Sequence, residues 1–405
     1  MPTTNFKNSS GTDIGNTLVE KSYLIDRYPG LADTFKQAGA WSWGMNNVYQ
    51  LSDGTTTYRS SPVQVLGGGT NWTILSSGRY HATGIKSDGT LWTWGYDDFG
   101  QLGINSSGGI MRSTPVQTIA AGTTWKQVDS GDRFCAAIKT DGTLWTWGRN
   151  QTGQLGDGTT TSRSSPVQIA GTTWKQVSTG YDSTGAIKTD GTLWTWGINE
   201  WPNVTLGDGT EVNKSSPVQL AGTTWKQISM GRRNAAAIKT DGTLWCWGDR
   251  GDGGVGDGVI SGFVARSSPI QTTAGGTNWK QVSVGLGQVL AIKTDGTLWG
   301  WGNGSYGQIG DGTATTKSTP IQIAGTTWKQ VDKGNNYKSN AIKTDGTLWT
   351  WGQNSYGELG DGTTTDRSSP VQTVGAGTNW KFVTSGLYFM MAIRDDSADI
   401  FGNNL

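Results

Sequence analysis

The sequence predicts an all-β protein: a seven-bladed β-propeller of four-stranded blades, closed by pairing of N- and C-terminal strands and preceded by a short, partly helical leader. Three observations carry that prediction. Trp-x-Trp-Gly occurs seven times at roughly 50-residue spacing, at Trp41–Gly44, Trp92–Gly95, Trp145–Gly148, Trp194–Gly197, Trp245–Gly248, Trp299–Gly302 and Trp349–Gly352. Between copies recur three more strand-sized segments, typified by Arg163-Ser-Ser-Pro-Val-Gln168, Gly171-Thr-Thr-Trp-Lys-Gln-Val177 and Ala186-Ile-Lys-Thr-Asp-Gly191. Of 22 tryptophans, fourteen lie in the Trp-x-Trp pairs and seven more occupy one position per repeat, at Trp72, Trp125, Trp174, Trp225, Trp279, Trp328 and Trp380, which leaves Trp201 alone off the pattern. A repeat of this length with four strand-sized pieces is one propeller blade. Aromatic side chains at fixed register are packing residues first, because each buries a large apolar area.

In chain order, residues 1–40 form the leader and 41–405 the propeller. The leader spaces Leu18, Tyr23, Leu24 and Ile25 as a short helix before Pro29, with a second helical piece over Leu31–Gln37. It is too small to be a domain. Its aliphatic side chains are expected to plug one mouth of the propeller or to anchor the chain to a partner. The terminus Met1-Pro-Thr-Thr-Asn-Phe-Lys-Asn8 has no basic region ahead of an apolar core, so no export signal is expected, and no membrane insertion.

Within a blade, the segment that starts at the lone Trp is predicted innermost and Ala-Ile-Lys-Thr second. Leu-Trp-Thr-Trp is third, split from the second by Asp-Gly, a favoured two-residue hairpin turn. Ser-Pro-Val-Gln is outermost, where proline fits an edge. Alternating direction places the turn after the inner strand and the long loop after Trp-Gly on one face, with the Asp-Gly and Gly-Thr-Thr turns on the other. Trp41–Gly44 lacks inner strands of its own, while Trp380-Lys-Phe-Val383 and Met391-Ala-Ile-Arg394 have only the degraded partner Asp399–Gly402. Mixing the termini in one blade leaves seven blades and no open edge.

Composition narrows the function. A net charge of +1 supplies no field for nucleic acid or an anionic membrane. Cys135 and Cys246 fall at non-equivalent repeat positions, which argues against a disulfide framework or a zinc site. His81 is the single histidine and lacks Ser or Cys partners for catalysis, so it reads as a packing residue before it reads as a contact residue. The Gly-Asp-Gly loops at Asp157, Asp208, Asp257, Asp311 and Asp361 each offer one carboxylate, with Arg163, Lys214, Arg266, Lys317 or Arg367 following. A turn with an intra-repeat ion pair is expected there ahead of calcium. Lysines of the Ile-Lys-Thr strands are expected on a solvated, mixed-charge face beside the turn aspartates. No cofactor and no metal are expected.

Strands are nearly identical among repeats, whereas the tetrapeptide after the inner strand changes: Arg79-Tyr-His-Ala82, Asp132-Arg-Phe-Cys135, Tyr181-Asp-Ser-Thr184, Arg232-Arg-Asn-Ala235, Leu286-Gly-Gln-Val289, Asn335-Asn-Tyr-Lys338 and Leu387-Tyr-Phe-Met390. Tyr and Arg on a rigid frame make recognition surfaces. The candidate partner-binding residues are therefore Tyr80, His81, Tyr181, Arg232, Arg233, Tyr337, Tyr388 and Phe389. Trp201, in the individual loop Ile198–Val204, completes the set as a residue exposed for contact or sugar stacking.

Trp147-Gly-Arg-Asn-Gln-Thr-Gly-Gln-Leu-Gly156 matches the Trp-Gly-x-Asn-x-x-Gly-Gln-Leu-Gly signature of the regulator-of-chromosome-condensation repeat family, and Trp351–Gly360 matches with one change, so the chain resembles that family. The resemblance implies a propeller. Founding members are exchange factors for a small GTPase that bind chromatin, and others are ubiquitin ligases; this chain has no basic tail, no identifiable GTPase wedge and no ligase domain. The near identity of Ala-Ile-Lys-Thr-Asp-Gly-Thr-Leu-Trp across repeats, with the leader Asn5–Gly15 and Val19–Tyr28, also resembles repeat proteins among structural genes of marine tailed bacteriophages. That implies a non-enzymatic virion component of tail, fibre or surface, with other virion proteins or a host cell-surface molecule as partners and no nucleic acid. A soluble cytoplasmic protein-interaction scaffold is the alternative, with a guanine-nucleotide exchange factor behind it.

Overall fold

The computed structural model describes residues 38–395, apart from 68, 70, 107, 121, 262–263, 333–336 and 376. Seven four-stranded antiparallel sheets are present. Six open, in chain order, at Trp72, Trp125, Trp174, Trp225, Trp279 and Trp328, and are called here the first to sixth blades. In the third blade the order from the axis outward is Trp174–Thr179, Ser183–Lys188, Leu193–Gly197 and Lys214–Gln219, as the sequence predicts.

The seventh blade is the clasp. Trp380–Ser385 and Phe389–Asp395 supply its inner strands, and Ala38–Gly44 and Arg59–Gln64 its outer pair. Ala38 pairs with Asp395 and Gly44 with Phe389, so this strand joins the clasp along its whole described length. The leader helices and Asp399–Gly402 lie outside the described residues.

The core sits between blades. Ala136, Ile138, Leu144 and Ile169 of the second blade pack on Trp174, Val177, Ala186 and Trp196 of the third, and the same grouping recurs round the ring. Trp174 meets Trp194 and Trp196 edge to face, at centroid distances of 6.4 and 6.1 Å. Because the second strand is covered on both faces, Ser183–Ile187 is buried throughout rather than alternating.

Polar links complement this packing. The second Trp of each pair donates its indole N–H to a loop carbonyl of the preceding blade. Trp196 Nε1 reaches Gln154 O at 3.0 Å, and Trp43 and Trp94 close the circuit on Glu358 O and Gln50 O. Gly156, at φ +77°, makes room for this contact, since a Cβ there would lie 2.6 Å from Trp196 Nε1. Nearer the axis, Gln176 clasps the next inner strand from both sides: its Nε2 donates to Ile228 O at 3.1 Å and its Oε1 accepts from Ile228 N at 3.1 Å. Gln127, Gln227 and Gln281 repeat the clasp, and Ile74 of the first blade and Phe382 of the seventh hold the equivalent positions.

Faces follow the predicted alternation. Ile198 N bonds Asp182 O, which ties the long loop to the first turn, while Trp174 N bonds Gly142 O on the opposite face.

Candidate functional site

The turns between first and second strands ring the mouth of the central channel. At Gly78, Gly131, Gly180, Gly231 and Gly386 the inner strand ends in a glycine packed on its neighbour: a Cβ on Gly180 would lie 2.3 Å from Gly231 O, so only glycine fits. The turns then bond across blades, Arg79 N to Asp132 O at 3.0 Å, Asp132 N to Tyr181 O at 3.3 Å and Leu387 N to Gly78 O at 3.3 Å. A small recess remains, lined by Arg79, Asp132, Tyr181, Arg232 and Leu387 with Gly180 and Gly285. Below it runs a channel of about 240 Å³ lined by the glutamines and by Asp129 and Asp332.

The structure divides each variable tetrapeptide in two. His81, Ser183, Asn234 and Phe389 open the second strands and are buried, as are the residues that follow them. His81 and Phe389 are therefore not surface contacts. His81 faces Cys135 Sγ at 3.1 Å, and burial, aided by the Arg133 charge, pulls its pKa down to about 3. In the sixth repeat Lys338 pairs with Gly352 as His81 pairs with Gly95, so the predicted tetrapeptide is displaced by one residue and Tyr337 is the equivalent of Tyr80.

The turn residues left half-exposed are Arg79, Tyr80, Arg133, Tyr181, Arg232, Arg233, Tyr337 and Tyr388. Buried carboxylates hold the arginines from beneath: Arg79, with 27% of its side chain exposed, lies 3.6 Å from Asp132, with 2%. Asp132 also faces Arg133 at 3.6 Å, Arg133 reaches Asp98, and Arg149 meets Asp182 at 3.2 Å. Burial raises both inner carboxyls, Asp182 to about 7 against the pull of Arg149. Arg79 Nη1 donates to Tyr181 Oη at 3.1 Å, and the Arg232 guanidinium stacks over the Tyr181 ring at 4.5 Å. Arg232 makes no ion pair among the described residues. A guanidinium held by its face keeps its in-plane donors available. On the same face, Tyr58, Tyr356 and Tyr388 form an aromatic run with centroids 5.5 and 5.1 Å apart, and Tyr306 stacks on Tyr337 at 4.8 Å.

The sequence reading missed Arg79, Arg133 and Arg149 as members of one network, since its links cross blades. Trp201 stands elsewhere, on the third blade's long loop, and is 52% exposed. The Gly-Asp-Gly carboxylates are engaged as turn locks: Asp157 accepts from Asn150, Thr159 and Arg163, and Asp53, Asp208, Asp311 and Asp361 carry the same cation. No cluster of three or more metal-type ligands occurs among the described residues. The strand lysines are not simply solvated. Lys188 Nζ sits over Trp174 and Trp194 at 4.8 and 4.1 Å, a cation–π clamp that recurs in six blades, with Arg394 in the seventh.

The regulator of chromosome condensation (RCC1) repeat matches residues 88–138, 141–187, 295–337 and 345–393, and a second description of that repeat matches 72–101, 125–154, 225–253 and 279–308. The chain is similar to the ultraviolet-B receptor UVR8 of Arabidopsis thaliana, 30% identical over 70% of this chain and 65% of the receptor. It is 27% identical to the human E3 ubiquitin-protein ligase HERC2 over 72% of this chain but 6% of the ligase. It thus spans less than two thirds of these relatives. Human WBSCR16 superposes with a TM-score of 0.78 at 19% identity, covering 89% of this chain and 99% of that one. Prp20p of Saccharomyces cerevisiae gives 0.78 at 17%, covering 90% and 94%. Both likenesses concern the fold.

Proposed function

The chain belongs to the RCC1 repeat family, and from that premise we propose that it is a non-catalytic binding and assembly module whose channel-mouth face recognises a macromolecular partner. The observation that carries this reading is the chain Asp132–Arg79–Tyr181–Arg232, in which each side chain is fixed by the one before it. Tyrosine and arginine dominate binding energy at protein interfaces. Holding them in place before contact lowers the ordering cost of association. Relatives named as a receptor and a ligase are consistent with propellers of this family serving recognition.

The setting proposed is a bacteriophage particle, with the protein as a tail, fibre or surface component bound to another virion subunit or a host cell-surface molecule. Near-identical strands carrying unlike turns suit a scaffold whose display has diversified. Mass spectrometry of purified particles from the source system tests the setting: a fixed copy number relative to the major capsid protein is expected. Absence from particles, with abundance in cells, refutes it and favours a soluble scaffold. Arg232→Ala with Tyr388→Ala tests the face. Partner capture that survives both substitutions refutes it.

A further inference from the structure

The total charge of +1 is unevenly distributed. Inner strands start on the face of the Asp-Gly and Gly-Thr-Thr turns, and the residue after the opening Trp is lysine in six of the seven: Lys126, Lys175, Lys226, Lys280, Lys329 and Lys381. All six are exposed. None forms an ion pair, a hydrogen bond or a cation–π contact among the described residues. Packing does not require them: the inner strands end differently, in Ser130, Thr179, Met230 and Val284, yet keep this exposed lysine. The lysines of the second strands, by contrast, each have a turn aspartate two residues on. Bonds from the Thr192 hydroxyl and N–H hold the Asp190 carboxyl below its usual range, the Lys188 charge adds to the pull, and five other blades repeat the arrangement.

Those six cations and six carboxylates cancel in number, as Arg394 and Asp395 do in the seventh blade. The links from outer strand to next inner strand, such as Ala170-Gly-Thr-Thr173, contain no charged residue. The inner ring is therefore a surplus of six positive charges on one face, and with a total of +1 it leaves −5 for the rest of the chain. Ala38 and Asp395 lie on this face as well; the residues beyond them carry balanced charge at 1–37 and −2 at 396–405, so the surplus stays positive. Common register sets the six lysines at one level round the axis. A plane meets all of them at once, whereas a linear polyanion reaches only those in its path. Bases would also find no stacking platform here, because rings such as Trp174 and Trp194 are already covered by a second-strand lysine. Lysine is a hydrated point charge without the fork that grips a single carboxylate or phosphate, which suits a surface of diffuse negative charge.

We propose that this face adsorbs, without insertion, on an anionic lipid bilayer through the ring of inner-strand lysines. The channel mouth, at the other end of the same strands, is then turned away from the lipid. The adsorbing face is separate from that mouth and does not depend on its being a partner surface.

The test is co-sedimentation of the full chain with vesicles of phosphatidylcholine alone and of phosphatidylcholine carrying about 30% phosphatidylglycerol or phosphatidylserine, beside titration with duplex DNA and with poly-L-glutamate at the same salt. At about 0.05 M salt both anionic vesicles should bind alike, half-saturating near 0.1 mM lipid as six lysines at roughly fivefold each imply. Neutral vesicles should not bind, and about 0.5 M salt should release the protein. Lys126→Gln, Lys226→Gln and Lys329→Gln together should weaken adsorption about a hundredfold, with an unchanged urea midpoint because the side chains are exposed. Arg112→Gln, Arg163→Gln and Arg266→Gln together remove the same charge from the opposite ends of the blades and should change adsorption less than about threefold. The proposal is overturned if the anionic vesicles do not bind, if neutral vesicles bind as well, if the triple lysine variant binds like the parent chain, or if DNA or polyglutamate binds more tightly than the vesicles.

Discussion

Replacing Gly156 by alanine isolates the contact that joins consecutive blades. The matched control is Gly158, two residues on, with nearly the same backbone: φ is +77° at the first and +81° at the second. Both substitutions meet the same left-handed penalty, about 1–2 kcal/mol. Their surroundings differ. A Cβ at 158 lies 3.7 Å from Ser216 Oγ, an ordinary contact, whereas at 156 it falls 2.6 Å from Trp196 Nε1. The indole must withdraw, which breaks its 3.0 Å bond to Gln154 O and leaves its buried N–H unpaired, while the carbonyl keeps the Thr184 hydroxyl at 2.8 Å. That adds about 1–3 kcal/mol, for a total near 2–5 kcal/mol at Gly156 against about 1–2 at Gly158. Urea unfolding at equal m-values reads the difference directly. Midpoints shifted equally by the two substitutions would refute the claim that the loop glycine exists to admit the next blade's tryptophan.

His81→Phe imports the residue that Phe134 and Phe389 place at the same register. The histidine pKa is about 3 folded and 6.5 unfolded. Below pH 6.5 the unfolded chain therefore binds a proton that the native chain refuses, and the parent protein loses stability as pH falls towards 3. The variant should escape a loss on the order of 4 kcal/mol, so parallel urea midpoints from pH 7 to 4 would contradict the burial argument. Gln176→Ile, which copies the residue at Ile74, should cost about 1–2 kcal/mol, since water in the channel can replace part of the clasp; a neutral result would show that the clasp is ornamental. Asp157→Ala should destabilise more than Arg163→Ala, because the arginine contributes one half-exposed ion pair worth at most about 1 kcal/mol while the aspartate also anchors Asn150 and Thr159. Equal thermal shifts would reverse that ranking.

The blade order, the face assignment and the terminal clasp were all legible because they follow from period and alternation, and the tryptophan register repeats without a gap. The start of the second strand was not. Residues such as Ser183–Ile187 are covered on both sides, so no polar–apolar alternation marks where turn becomes strand. His81 and Phe389 were placed one step too far out for that reason, and the sixth repeat slipped a residue for want of an anchor. The lysine clamps escaped notice because Lys188 meets Trp174 and Trp194 through cross-strand register, and a string of letters does not display cross-strand neighbours. The mouth was half legible: Tyr181 and Arg232 stood out as variable, but the contacts that fix them run between residues far apart in sequence.

The clasp also sets a timetable. Ala38–Gly44 is among the first parts of the propeller to leave the ribosome, yet it pairs with Phe389–Asp395, among the last. Throughout translation Trp43 lacks the Trp380 ring and the Glu358 carbonyl that enclose it in the finished ring. A nascent chain of six blades thus exposes an apolar flank at each end, sticky towards the other and towards its neighbours on the same messenger. Spacing between translating ribosomes, and the chaperones that shield such flanks, will govern the yield of this protein as much as the stability of the closed ring.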